Sequence, residues 1–101
     1  MYRIIEGRAT GKTSRLMLLA KETGATIVCR NPEQMYHKAV GYGIVGIDFI
    51  SYGDYCKKET DPDKKYLIDE MELMIKYLFN GQLIGYSISN EDWYTWILKI
   101  L

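Results

Sequence analysis

Apolar residues come in short runs broken by glycine, asparagine and proline, and their spacing alternates between strand-like and helical along the chain. Residues 2–5 form a short apolar-rich run that reads as a strand. After a glycine-bearing turn, Leu16, Leu19, Ala20 and Thr23 recur at helical spacing, which predicts a helix over 13–23 stopped by Gly24. Residues 25–30 read as a buried strand with Thr26, Ile27 and Val28 at its centre. Asn31-Pro32-Glu33-Gln34 is a helix start, with Asn31 as cap and Pro32 at the first helical position; Met35, Tyr36, Ala39 and Val40 carry that helix to Gly41. Residues 47–52 alternate as a strand, 52–63 form a polar stretch with a short helical turn, and Tyr66, Leu67 and Ile68 form another apolar run. A helix follows over 71–79, with Met71, Met74, Ile75, Leu78 and Phe79 on one stripe. Then come a strand over 83–89 and, capped by Asn90, a last helix carrying Trp93, Trp96, Ile97 and Ile100. About five strands alternating with about four helices predict an α/β fold: a three-layer sandwich with a mainly parallel sheet, in one domain spanning 1–101.

Composition adds bounds to this outline. With 101 residues, 48% hydrophobic and 26% charged, the chain has the make-up of a small soluble globular domain. Thirteen basic residues balance thirteen acidic ones, so net charge does not announce a polyanion partner. Locally, Lys57, Lys58, Lys64 and Lys65 with Tyr52 and Tyr55 could contact nucleic acid. The interleaved Asp54, Glu59, Asp61 and Asp63 favour a plain solvated face instead. Cys29 and Cys56 lie far apart, without the spacing of a zinc site or a disulfide framework. No apolar run reaches the length of a membrane span, and no signal peptide opens the chain, so a cytoplasmic protein with no membrane partner is expected. His37 falls between the apolar positions of its helix and reads as a surface residue.

Two stretches carry chemistry. The first is EGRATGKT, residues 6–13, placed between a strand and a helix. Backbone N–H groups of a tight loop and of the following helix N-terminus form a positively polarised cup for an anion. Gly7, Arg8, Ala9, Thr10 and Gly11 would line that cup. Lys12 would reach the outer phosphates of a nucleotide, and the Thr13 hydroxyl could join the coordination shell of Mg²⁺. Glu6 stands where the G-x-x-x-x-G-K-[ST] pattern has its first glycine, with Gly7 next to it. The second stretch is Asp69-Glu70 at the end of the run 66–68. A carboxylate at a strand tip can hold Mg²⁺, and the next one can orient and deprotonate an attacking water.

With both stretches in this order, the chain resembles the P-loop nucleoside triphosphatases. More narrowly it resembles their branch with an extra strand and a catalytic glutamate, which includes helicase motor domains and phage DNA-packaging terminases. Residues 7–13 match the Walker A motif and 66–70 the Walker B motif with its glutamate; Ser87 to Asn90 stand where that branch often has a γ-phosphate sensor. The resemblance implies that Lys12 binds β- and γ-phosphates, that Thr13 and Asp69 hold Mg²⁺, and that Glu70 activates water. It implies ATP as ligand or substrate and DNA metabolism or packaging, within a homo-oligomer or with a protein partner. Such relatives continue past the sensor strand into an arginine-bearing segment; here an arginine would have to come from another subunit. The alternative expectation is a P-loop fold used as an interaction module, such as a phage-encoded inhibitor of a host protein, with little or no turnover.

Overall fold

The computed structural model describes residues 4–5, 11–59 and 61–88. In chain order these form α1 (Lys12–Thr23), β1 (Thr26–Cys29), α2 (Pro32–Gly41), β2 (Phe49–Ser51), α3 (Tyr52–Lys57), β3 (Tyr66–Ile68) and α4 (Met71–Leu78). Local chemistry sets most of the boundaries. Gly24, at φ 75°, ends α1 in the left-handed conformation and returns its N–H to the Ala20 carbonyl at 2.8 Å. The Asn31 side chain accepts the Gln34 N–H at 3.1 Å and starts α2 directly ahead of Pro32. Ser51 does the same for α3, accepting the Asp54 N–H at 3.0 Å.

All three strands are parallel, in the order β2-β1-β3. Ile27 pairs with Phe49 and Leu67, and Val28 with Ile50 and Ile68, so alternate residues of β1 face opposite sides of the sheet. Ile27 and Cys29 face a cluster of Leu16, Met17 and Ala20 from α1 with Met35 and Ala39 from α2. Val28 faces a smaller cluster made by Tyr52 of α3 and Met74 of α4. Helices therefore cover both faces, and burial on both faces explains why β1 is an unbroken apolar run.

The direction of travel and the covering face reverse together between the two crossovers. The chain goes from β1 to β2 through α2 on one face, then from β2 back across to β3 through α3 on the other. Both crossovers consequently share one hand. At the carboxyl ends of the neighbouring strands β1 and β3 the chain departs toward opposite faces, into α2 and α4. In open α/β sheets such a point is where ligands commonly bind.

Four expectations need correction. The sheet among the described residues has three strands rather than about five. Residues 83–88, expected as a strand, have no regular structure; Ile84, Tyr86 and Ile88 are exposed, so no burial offsets the entropy of ordering them as a strand. Ile4 and Ile5 lie in no strand either, although Ile4 packs against the α1 and α2 cluster. The α4 stripe is also rotated. Met74 is buried and Leu73 packs beside it, whereas Met71, Leu78 and Phe79 are exposed, because the small Val28 cluster offers α4 a narrow contact. The last expected helix, with Trp93, Trp96, Ile97 and Ile100, lies outside the described residues.

Candidate functional site at the carboxyl ends of β1 and β3

Lys12 is the first residue of α1. Gly11 precedes it in the left-handed conformation, φ 80°, and no side chain caps the helix. The Ser14 hydroxyl and the Arg15 backbone N–H both donate to the Gly11 carbonyl, at 3.0 and 3.1 Å, which closes the first turn from below. Among the described residues no side chain caps the leading amides of α1, which form the positive end of a helix dipole. The first turn contains no acid, and a lysine there is opposed by that dipole. What compensates Lys12 comes from elsewhere in the fold: its ammonium acts on the carboxyl groups of Asp69, Glu70 and Glu72. Thr13, half-buried, follows in the same turn.

Asp69 continues β3 by one more ladder bond, its N–H donating to the Val28 carbonyl at 2.9 Å. This places it beside the end of β1, half-buried. Burial raises its carboxyl above the usual range, and Lys38 and then Lys12 act against that rise. Glu70 caps α4 in the left-handed conformation, φ 59° and ψ 65°. Its carboxyl is raised chiefly by a hydrogen bond with the Glu72 side chain, with burial second. Glu72 is lowered, first by its own backbone N–H and then by Glu70. The two carboxyl groups are thus shifted in opposite directions, Glu70 being the harder of the pair to ionise. Beneath the turn, the buried Tyr52 places its hydroxyl 2.7 Å from the Asp69 carbonyl and 3.1 Å from the Glu70 carbonyl.

The fold brings Lys12, Thr13, Asp69 and Glu70 to one edge of the sheet. Gly7, Arg8, Ala9 and Thr10 lie outside the described residues, as do Glu6, Ser89 and Asn90. Ser87 is exposed in the irregular segment 83–88. Tyr52, expected beside the lysines on a face open to nucleic acid, is instead buried at 4% exposure, since it is the main side chain filling the space under Val28. Tyr55 is occupied by Lys58, whose ammonium sits 4.9 Å from its ring and 4.4 Å from the Tyr66 ring. His37 is exposed, as expected, with Tyr36 against its ring edge.

Sequence reasoning missed three neighbours of the site. Glu72 was legible as a second acid in the first turn of α4. Lys38 and Tyr52 carried no signal, because only the packing of α2 and α3 brings them near Asp69.

Cys29, at the end of β1, offers a direct check on this packing. Burial, with Asp69 second, pushes its thiol up to about 11 from 9.0, against the pull of the Asn31 N–H. At a given pH below 9 it therefore presents roughly 100-fold less thiolate than an ordinary cysteine. Cys56 is exposed. Iodoacetamide at pH 8 is expected to modify Cys56 first and Cys29 only after unfolding, read by mass spectrometry. Equal labelling of both in the native protein would contradict the burial of β1.

Compared with protein-family models, with curated proteins and with solved structures, the chain finds no match in any of the three.

Proposed function

We propose that this protein binds Mg-ATP in a P-loop NTPase-like site and hydrolyses it as part of an assembly in DNA metabolism or packaging. The observation that carries this reading is Lys12 at the uncapped N-terminus of α1, close enough to Asp69 and Glu70 at the end of β3 to act on both carboxyl groups. A cationic, amide-lined helix end suits phosphates, and a neighbouring pair of carboxyls suits hydrolysis. The finer fold assigned here is that of the catalytic-glutamate branch of P-loop NTPases, with a three-layer sheet larger than the three described strands.

The donor set fits Mg²⁺. Thr13 offers a hydroxyl and Asp69 a carboxylate, both hard oxygens, and this ion is commonly held by one or two carboxylates together with phosphate oxygens and water. Among the described residues no three His, Cys, Asp or Glu side chains are placed to hold a metal ion by themselves. When bound, the ion supplies charge neutralisation on the phosphate oxygens. The chain's own residues do the rest. Lys12 and the α1 amides bind and orient the β- and γ-phosphates. Glu70 takes the proton of the water that attacks the γ-phosphorus in line.

A second reading, an interaction module with little turnover, draws on the exposed Met71, Leu78, Phe79, Ile84, Tyr86 and Ile88. The two are separated by a thermal-shift panel of ATP, GTP and their diphosphates with Mg²⁺, combined with phosphate release measured with and without DNA. A bound triphosphate at 100 times its Kd is expected to raise the melting temperature of a domain this size by roughly 10–20 °C. Phosphate release without DNA favours a free-standing ATPase and release only with DNA a nucleic-acid motor. Binding without release favours the interaction module. If no nucleotide shifts the transition at millimolar concentration, the P-loop reading is wrong.

A further inference from the structure

Tyr52 is the first residue of α3, immediately after β2, yet its hydroxyl reaches the main chain at the end of β3, two strands away in the order β2-β1-β3. It passes under the end of β1, packed on Val28 and Met74, and covers a span of roughly 10 Å between the outer strands. The Tyr77 ring of α4 lies against it at 6.2 Å between centroids. The backbone next to Tyr52 leaves room for Tyr77: a Cβ on Gly53 would stand 2.8 Å from the Tyr77 hydroxyl.

What the hydroxyl touches is an unusual piece of backbone. Glu70 is a non-glycine residue at φ 59°, a strained conformation that persists only where its surroundings hold it. The Asp69 and Glu70 carbonyls flank this residue, and one phenol hydroxyl lies within hydrogen-bonding distance of both. The Glu70 carbonyl also accepts the Leu73 N–H at 2.9 Å, so the same turn launches α4. The β3 ladder bond to Val28 fixes the turn from one side and the Tyr52 hydroxyl from the other.

We infer that Tyr52 is a positioning residue: its hydroxyl holds the Asp69–Glu70 turn in the left-handed conformation that presents both carboxyl side chains to the N-terminus of α1. As a statement about turnover this rests on the ATPase reading above; as a statement about the turn it does not. The phenol is buried and reaches the main chain of Asp69 and Glu70, through which it acts.

The test uses the full chain and Tyr52→Phe, which keeps the ring and removes only the hydroxyl. NMR on the isotope-labelled protein reads the Glu70 conformation from its HN–Hα coupling and carbon shifts. Positive φ is expected in the wild type and lost in the variant. In turnover, phosphate release is expected to fall about tenfold or more while ATP affinity stays within about twofold, a split that general loss of structure would not produce. An unchanged Glu70 conformation in Tyr52→Phe overturns the proposal, and so does a parallel loss of affinity and rate. If the variant does not fold, the wild type decides. A slowly exchanging Tyr52 hydroxyl proton with a cross-peak to the Glu70 or Met71 amide supports the strut, and a hydroxyl in fast exchange with water overturns it. Failure of wild-type protein to bind any nucleotide would sink the ATPase reading and leave the conformational arm intact.

Discussion

Lys12→Ala is expected to weaken the proposed Mg-ATP binding by at least about 100-fold, as read by isothermal titration calorimetry. A hydrogen bond to a charged group contributes about 1.5–3 kcal/mol, and 1.4 kcal/mol is tenfold in affinity. The environment of Lys12 puts its contribution at the upper end. It stands half-buried at the open end of α1, where no other side chain supplies a cap and the first turn holds no competing carboxylate. Alanine also removes one of the cations that offset Asp69 and Glu72, and the one that acts on Glu70, so an incoming polyphosphate meets a more negative edge. Fold stability should change little by comparison, because the helix dipole opposes a cation at that position. Intact nucleotide binding in the alanine variant would remove the foundation of the proposed site.

Glu70→Gln is expected to have the complementary effect: ATP affinity within about threefold of wild type and phosphate release lower by about 10²–10⁴-fold, the usual contribution of a positioned general base. Shape explains the retained binding. A glutamine amide keeps the length of Glu70 and can donate to the Glu72 carboxylate, so the contact between these side chains at the start of α4 survives. Basicity explains the lost rate, since an amide cannot take a proton from water. Single-turnover phosphate release with saturating ATP separates the two quantities. Turnover at the wild-type rate would move the base elsewhere, with Glu72 the first residue to examine.

The parts of the fold that were legible were those governed by neighbours in sequence. Asn31-Pro32 begins α2 where the sequence predicts, and Gly24 ends α1, because a cap and a left-handed glycine act over three or four residues. β1 was legible from its run of apolar residues. The α4 stripe was less so. Met71, Met74 and Leu78 have the same spacing whichever side is buried, and the narrow cluster under Val28 decides in favour of Met74. The segment 83–88 has β-favouring residues at alternate positions but gains no burial among the described residues, so propensity did not prevail.

The candidate site divides along the same line. Sequence alone determined which residue types could do phosphate chemistry, the glycine-lysine-threonine turn before a helix and the carboxylate pair after a strand, because those signals are local. Only the tertiary structure decided that Lys12 and Asp69 act on one another, since parallel pairing of β1 with β3 and the antiparallel return of α1 bring both to the same edge of the sheet. It alone also showed that Glu70 sits in a left-handed turn over the Tyr52 hydroxyl. Contacts between residues far apart in the chain depend on strand order and on which face each helix covers, and neither is written in any short stretch of residues.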